Sequence, residues 1–299
     1  MVDFAFLDSG TGGIPYLLHM LDIFPKASCV YVGDTVNFPY GEKSHEQIVQ
    51  CVIELVKKII QRFDPKIIVI ACNTMSVNAL NVLREVYPET QFVGTVPAIK
   101  LAASVSKKRV IGLLATHATV QNPYNMDLKN HFAADCKMVL RGDPDLISFI
   151  EHESFTATES EREAACKPAV DYFSEQGCDV IILGCTHFLN LKKEMQKVCG
   201  SDITVVDSVD GVVNRAIDLY GALRGVPAVR VAETASAGAQ GEERFANEFC
   251  FRFNDNGKQN VASPSLKSKL FVTGFSDKND EKEYNVLCSR FGLEFNGLL

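Results

Sequence analysis

Short runs of consecutive apolar residues alternate along this chain with longer stretches in which apolar residues recur at helical spacing. Two of the runs, within Ile67–Thr74 and Val180–His187, are rich in Ile and Val and lead into a cysteine. Such runs are typical of strands buried on both faces of a parallel sheet. The alternation predicts an α/β protein with mostly parallel sheets flanked by helices. The clearest helical stripe consists of Ile48, Val52, Leu55, Val56 and Ile59.

The order of these elements occurs twice. In each half, a strand breaks into a turn rich in small and hydroxyl residues, a second strand ends in Gly-Asp, a helix follows, and a third strand leads to a cysteine. The corresponding segments are Ala5–Gly13 with Ile111–Val120, Cys29–Asp34 with Cys136–Asp143, and Ile67–Thr74 with Val180–His187. The repetition predicts two pseudo-symmetric lobes.

The helix of each half begins with a capping-box pattern. Ser44 and Ser160 are each followed three residues later by Gln or Glu, which predicts that each serine caps its helix. Pro168 should kink the second helix, since a proline removes one helical hydrogen bond. Gly177 should end it.

We expect the first lobe to comprise residues 1–95 and 208–299, and the second to comprise residues 96–207. Ligands of open parallel sheets bind beyond the carboxyl ends of the strands, so the active site should lie in the cleft between the lobes. Near the end of the chain, alternating phenylalanines before Asn256 and Gly257 predict a hairpin. A strand and turn over Leu270–Asp277 and a closing helix should pack back onto the first lobe.

Composition narrows the class of partner. The 299 residues are 46% hydrophobic and 22% charged, as in globular proteins, and the net charge is −7. Because nucleic-acid binding needs a basic face, a small-molecule ligand is favoured over nucleic acid. The chain opens with a strand-like run rather than an export signal, and its apolar runs are too short to cross a bilayer. We therefore expect a cytoplasmic protein without membrane contact.

The ten cysteines lack CxxC spacing and an export signal, so we expect reduced thiols rather than disulfides. Cys72 and Cys185 differ from the rest because each stands between a strand and a helix-capping residue. The first N–H groups of a helix carry partial positive charge, so a thiol placed there should ionise more easily. Two such thiols facing one cavity could pass a proton across it. Simple packing is expected for Cys29, Cys51, Cys136, Cys166, Cys178, Cys199, Cys250 and Cys288.

Several motifs carry a family resemblance. They are LDSGTGG at Leu7–Gly13, VGDTVNFPYGEKS at Val32–Ser44, ACNTMS at Ala71–Ser76, GTVPAIKLA at Gly94–Ala102, LGCTHF at Leu183–Phe188, VDS at Val206–Ser208 and FVTG at Phe271–Gly274. With these motifs the chain resembles the glutamate racemases of the aspartate/glutamate racemase superfamily, nearly end to end. It departs from them at Phe188-Leu189, where Tyr-Pro is expected, and in a longer stretch at about 227–261.

The resemblance implies a homodimeric isomerase that needs no pyridoxal phosphate or other cofactor and supplies D-glutamate for peptidoglycan. Racemisation needs a base on one face of Cα and an acid on the other, with the roles exchanged in reverse. The resemblance implies that Cys72 removes the α-proton of D-glutamate and Cys185 that of L-glutamate. It also implies that Asp8 assists Cys72 and that His187 assists Cys185.

The other implied site residues should hold a zwitterion with two carboxylates. Backbone N–H groups at helix N-termini can bind carboxylate oxygens without placing a full positive charge beside the carbanion. Besides Asp8, the positions matching substrate-binding residues of the family are Ser9, Tyr40, Gly41, Asn73, Thr74 and Thr186. The second lobe adds three further candidates, namely Thr116, Thr119 and Glu151, the last near the substrate ammonium group.

Other interpretations of these residues remain open. The glycine-rich turn near Gly12 also resembles a phosphate loop, but no lysine follows it. Cys185 and His187 could be metal ligands, although no second Cys/His cluster has zinc-like spacing, and we expect no metal. Within the superfamily, an aspartate racemase or a decarboxylase is the nearest alternative, and His187 favours glutamate. A bilobed binding or regulatory protein is the more distant one, and the presence of both thiols argues against it.

Overall fold

The computed structural model describes residues 1–154, 156–225, 268–275 and 280–299. Its strands are β1 (Val2–Asp8), β2 (Cys29–Gly33), β3 (Pro65–Ile70), β4 (Gln91–Gly94), β5 (Val110–Ala115), β6 (Lys137–Gly142), β7 (Val180–Leu183), β8 (Thr204–Val206), β9 (Lys269–Val272) and β10 (Glu294–Leu298).

The α-helices are α1 (Ile14–Ile23), α2 (His45–Phe63), α3 (Asn73–Val86), α4 (Ile99–Val105), α5 (His117–Gln121), α6 (Tyr124–Phe132), α7 (Pro144–His152), α8 (Glu159–Glu175), α9 (Lys192–Cys199), α10 (Val209–Leu223) and α11 (Asp280–Phe291). Short 3₁₀ helices cover Thr35–Asn37, Tyr40–Glu42 and Thr186–Leu191.

The strands form two sheets in which every pairing is parallel. The order is β10-β9-β2-β1-β3-β4 in the first sheet and β6-β5-β7-β8 in the second. The first four strands of each half therefore have the same spatial order, namely second, first, third, fourth. This shared topology confirms the predicted fold class of two pseudo-symmetric α/β lobes.

Helices cover both faces of each sheet, which explains why the strands are apolar throughout. In the first sheet, α1 and α10 pack on one face, while α2 and α3 pack on the other. The predicted stripe of α2 is confirmed, since the buried residues of that helix are the five apolar ones named above. In the second sheet, one face is covered by α7, α8 and α9 and the other by α4 and α6.

One prediction about α8 is wrong. Its capping residue is Thr158, whose side chain accepts from the Glu161 backbone N–H, and Ser160 lies inside the first turn. Both residues fit the same pattern, and the helix begins at the earlier one. The helix continues through Pro168, and buried neighbours such as Ala169 anchor its second half on the sheet. The end of α8 is as predicted, with Gly177 at φ +78°.

The end of the chain joins the sheet of the first lobe, as predicted. Strand β9 pairs with β2, and β10, which the sequence did not predict, pairs with β9. The expected hairpin at Asn256 and Gly257, and the long stretch at 227–261, lie outside the described residues. No helix in the described parts of the chain is both long and apolar enough to cross a membrane.

Candidate active site

The carboxyl ends of the two sheets face a common cavity of about 270 Å³. Because Leu7 pairs with both Val32 and Ile70, the turns that follow β1, β2 and β3 lie at one edge of the first sheet. The first lobe lines the cavity with Ser9, the segment 38–42, Cys72, Asn73 and Thr74, and the second lobe lines it with Thr116, His117, Pro144, Ile147, Ser148, Glu151, Cys185, Thr186 and His187.

Cys72 enters the cavity from the first lobe. It caps the N-terminus of α3, with Ser76 donating its backbone N–H to the Cys72 carbonyl at 2.9 Å. The expectation that this thiol ionises easily is wrong. Burial, and next the adjacent Asp8 carboxyl, raise the pKa of Cys72 well above its ordinary value, against the opposing hydrogen bond from the Met75 backbone. In this environment Cys72 stays a thiol near neutral pH.

Asp8 lies behind Cys72 and is fully buried at the end of β1. Its Oδ2 accepts hydrogen bonds from the Gly13 backbone N–H at 2.7 Å and from the Tyr31 hydroxyl at 3.2 Å. The Cys72 thiol donates to the Ser9 hydroxyl at 3.9 Å, and its interaction with Asp8 acts to lower the pKa of that carboxyl. Burial raises the pKa of Asp8 above its ordinary value, although His187 acts in the opposite direction. The Asp8 and Cys72 side chains therefore form a buried pair that favours retention of a proton.

Cys185 lies beside a histidine rather than beside a carboxyl group. Its Sγ lies 3.2 Å from Nδ1 of His187, and Nε2 of His187 pairs with the carboxylate of Glu151 on α7. Burial by itself lowers the pKa of His187, but the interactions with Cys185 and Glu151 outweigh it and raise that pKa well above its ordinary value. The raised pKa favours an imidazolium at His187, between Cys185 on one side of the ring and Glu151 on the other.

Polar groups for a zwitterionic ligand lie between the two cysteines. Asn73 is 2% exposed, and neither polar atom of its amide has a hydrogen-bond partner among the described residues. Buried amides are normally paired, so this one is suited to a ligand. Asn73 also begins α3, whose N-terminal N–H groups favour anions. Thr186 reaches the same cavity from the second lobe.

Threonines connect the two lobes beside the cavity. The Thr74 hydroxyl lies 3.2 Å from those of Thr116 and Thr119, so α3 of the first lobe meets α5 of the second. Thr116 lines the cavity, whereas Thr119 is fully buried and lies behind its wall. Thr119 thus contacts Thr74 rather than the cavity.

The Tyr40 ring and the Gly41 backbone form another part of the wall. The Tyr40 hydroxyl donates to the buried Asp34 carboxylate at 2.5 Å. A Cβ on Gly41 would lie 3.3 Å from Cβ of Thr116, so the glycine lets this segment approach the second lobe closely.

The described residues offer no set of donor side chains for a metal centre. Within residues 1–154, 156–225, 268–275 and 280–299, no group of three or more His, Cys, Asp or Glu side chains is arranged to hold a metal ion. Both ring nitrogens of His187 are engaged, one with Cys185 and the other with Glu151.

Comparison with known proteins identifies the family. The model of the Asp/Glu/hydantoin racemase family matches residues 20–216. A glutamate racemase from Treponema pallidum (strain Nichols) is 44% identical over 216 residues, which cover 72% of this chain and 80% of the relative. The chain belongs to the Asp/Glu/hydantoin racemase family. The predicted enzyme class, an isomerase of the racemase type, is thereby confirmed.

Other members of the family match over nearly the whole length. A glutamate racemase from Shewanella sp. (strain MR-4) is 34% identical over 269 residues, covering 90% of this chain and 93% of the relative. Among solved structures, Escherichia coli glutamate racemase in complex with L-glutamate and the activator UDP-MurNAc-ala superposes with a TM-score of 0.75 at 25% identity, covering 100% and 98% of the two chains. Glutamate racemase isoform RacE1 from Bacillus anthracis gives a TM-score of 0.74 at 23% identity, with 100% and 97% covered, and supports the fold.

The racemase cavity brings together most of the residues that the motifs identified. Asp8 and Thr119 are the two whose side chains lie behind the wall rather than on it. Sequence reasoning missed several wall residues. Three of them, Phe38, Pro39 and Glu42, lie inside a quoted motif, which was their signal in the sequence. No sequence pattern marks the others, which lie on α5 and α7, as cavity residues; these are His117, Pro144, Ile147 and Ser148.

Proposed function

We propose that the protein is a glutamate racemase that interconverts L- and D-glutamate with two cysteines as its acid and base. The observation that supports this most directly is that Cys72 and Cys185, which follow equivalent strands of the two lobes, line one cavity. Racemisation is a symmetric reaction and needs such a pair.

In the direction from L to D, the Cys185 thiolate removes the α-proton of L-glutamate. The Cα–H bond breaks, the proton passes to sulfur, and its electron pair remains on Cα as a carbanion. The Cys72 thiol then donates its proton to the opposite face. Two observations support this assignment of roles: Sγ of Cys185 lies 3.2 Å from Nδ1 of His187, and burial together with Asp8 keeps Cys72 protonated.

In the direction from D to L the roles exchange. Cys72 must then be the thiolate, and Asp8 is the group beside it that accepts hydrogen bonds. Since one turnover leaves Cys72 deprotonated and Cys185 protonated, proton exchange with solvent restores the starting state. Asp8 and His187 are thus the auxiliary groups of the two thiols.

The substrate carboxylates are bound by neutral donors. We assign these contacts to Ser9, Asn73, Thr74 and Thr186, together with the backbone at Gly41. Support comes from the unpartnered Asn73 amide and from the N-terminus of α3. Neutral donors of this kind can stabilise the charge that develops on the substrate. Glu151, next to His187, is on the wall where it could also meet the substrate ammonium group.

The biological setting follows from the family resemblance. We propose that the enzyme works in the cytoplasm as a homodimer and supplies D-glutamate for peptidoglycan. Aspartate is the second candidate substrate, because the family also includes racemases of aspartate. Glutamate is favoured by the names of the relatives that are 34–44% identical.

A racemisation assay tests the proposal. The purified protein is incubated separately with L-glutamate and L-aspartate, and loss of optical rotation is followed by circular dichroism. We expect the optical rotation to fall to zero with glutamate and to remain unchanged with aspartate. Rapid loss with aspartate alone would favour the second candidate, and no loss with either would contradict the proposed activity.

Serine variants test the mechanism in the same assay. Cys72→Ser and Cys185→Ser should each lose racemisation, because a hydroxyl is too weak an acid to supply a ready base near neutral pH. Cys178→Ser is the matched control, since Cys178 is buried like the two cavity cysteines but is not on the wall of this cavity. Near-normal turnover in either cavity variant would contradict the two-thiol mechanism.

A further inference from the structure

Asp34 is a buried carboxylate that the proposed reaction does not use. It follows β2, is 1% exposed, and accepts hydrogen bonds from three side chains. Tyr40 donates its hydroxyl to Oδ2 at 2.5 Å, Asn37 donates its amide at 3.0 Å, and Thr273 donates its hydroxyl to Oδ1 at 2.8 Å. Within the described residues no Lys, Arg or His forms an ion pair with it.

The first of these bonds fixes part of the cavity wall. Tyr40 and Gly41 line the cavity, and the Tyr40 hydroxyl is directed to Asp34. Hydrogen bonds to an ionised acceptor are stronger than neutral ones, so this one holds the ring firmly. Since Gly41 adjoins Thr116 of the second lobe, a shift of the ring would move the segment at which the lobes meet.

The third bond comes from the end of the chain. Thr273 directly follows β9 and is 239 positions from Asp34. The two segments are joined by further bonds. The Val36 backbone N–H donates to the Thr273 hydroxyl at 3.0 Å, and the Thr35 hydroxyl donates to the Gly274 carbonyl at 2.6 Å. The C-terminal strand therefore braces the segment that carries Asp34.

We propose that Asp34 is a positioning residue, which holds the Tyr40–Gly41 wall of the substrate cavity in place and ties it to Thr273 of the C-terminal segment. This inference rests on the proposed racemase function. Asp34 acts on substrate binding through Tyr40 and does not touch the reacting atoms. The C-terminal segment thereby gains a role in substrate affinity.

The first test replaces the acceptor. Asp34→Asn keeps the shape but removes the charge and one acceptor, so the wall loses its fixed position. We expect KM for both enantiomers to rise roughly tenfold, as for loss of one hydrogen bond to a charged group. We expect kcat to fall less than threefold, because the wall binds the ground state and the transition state alike. The matched control is Asp3→Asn, which breaks a 2.6 Å bond from Tyr220 to a carboxylate of the same lobe away from the cavity.

The second test asks whether Asp34 acts through Tyr40. Tyr40→Phe keeps the ring on the wall and removes only the hydroxyl, so it should raise KM as Asp34→Asn does. The KM of the double variant should be no higher than that of the more affected single variant, because both changes break the same hydrogen bond. Additive increases in KM would mean that Tyr40 and Asp34 act separately and would overturn the proposal.

A milder pair of variants covers the case in which Asp34→Asn fails to fold. Thr273→Val removes the hydroxyl and should raise KM severalfold, whereas Thr273→Ser retains it and should restore wild-type KM. Unchanged KM in Thr273→Val, or a loss confined to kcat, would overturn the positioning role while leaving the racemase activity in place. A wild-type protein that racemises neither glutamate nor aspartate would instead overturn the proposed function, and this inference with it.

Discussion

The two cavity cysteines have unlike neighbours although their local sequences are similar. Cys72 is backed by the buried Asp8, and Cys185 is backed by the His187 imidazolium. The proposed mechanism uses one cysteine as acid and the other as base in each turnover, and these unlike neighbours support that division of roles.

The raised pKa of Cys72 predicts an unusual pH dependence of its alkylation. Thiolate is the reactive form, so the iodoacetamide reaction rate should keep rising about tenfold per pH unit beyond pH 9, whereas an ordinary thiol levels off above its pKa of about 8.5. Burial is the main cause and Asp8 the second, so Asp8→Asn should shift the rise only partly to lower pH. Mass spectrometry of the Cys72 peptide, with glutathione as the control thiol, measures the rate. Levelling off at or below pH 8.5 would contradict the assignment.

At the scale of single elements, capping boxes begin α2 and α8, whereas α1, α3 and α10 begin without a side-chain cap. Ser44 and Gln47 form the predicted capping box of α2, with both reciprocal bonds present. For α8, two overlapping matches to the same pattern stand two residues apart, and the structure uses the first. Local chemistry alone does not choose between such matches.

The position of the α8 cap gives a stability prediction. Thr158→Ala should lower the free energy of unfolding by about 1 kcal/mol, because the Glu161 N–H loses its acceptor. Ser160→Ala should change it by no more than a few tenths of a kcal/mol, since Ser160 lies inside the helix and alanine is the better helix former. Urea unfolding of both variants measures the difference. A larger loss in Ser160→Ala would contradict the observed cap.

Some features could be predicted from sequence and others depend on distant neighbours. Apolar runs located the central strands and the stripe of α2, and motifs located Cys72 and Cys185. Strand β10 carries half-exposed residues and no clear alternation, so it was missed. The protonation of Cys72 depends on burial and on Asp8 at the end of another strand, and the bond between Asp34 and Thr273 joins opposite ends of the chain. Neither leaves a local pattern.

At the scale of the whole molecule, catalysis depends on how closely the turns of the two lobes approach. The turn after β1 meets the turn after β7, where a Cβ on Gly12 would lie 2.8 Å from Thr186 Oγ1 and 3.1 Å from the His187 backbone nitrogen. The cavity thus closes only because the first turn lacks side chains there. This packing connects the glycine-rich motif to the position of Cys185 rather than to phosphate binding.

Adding a methyl group at this contact should impair catalysis more than folding. Gly12→Ala forces apart the two turns that carry the site, so we expect kcat/KM to fall roughly tenfold to a hundredfold, as for a displacement of about 1 Å. Gly211→Ala in α10 is the control, since nothing lies within 4 Å of its Cβ position, and it should keep full activity. Kinetics and far-UV circular dichroism test both. Wild-type kcat/KM in Gly12→Ala would show that this close approach is not needed.

The central claim is that Cys72 and Cys185 act as separate bases on opposite faces of Cα, and isotope incorporation tests it most directly. In heavy water, at early times, the thiol that donates carries solvent deuterium, while the proton removed stays on the other thiol. L-Glutamate should therefore yield D-glutamate deuterated at Cα while the remaining L-glutamate stays protiated, and the converse should hold from D-glutamate. Product that retains the original hydrogen, together with deuterium in the recovered substrate, would indicate a single base and contradict the account.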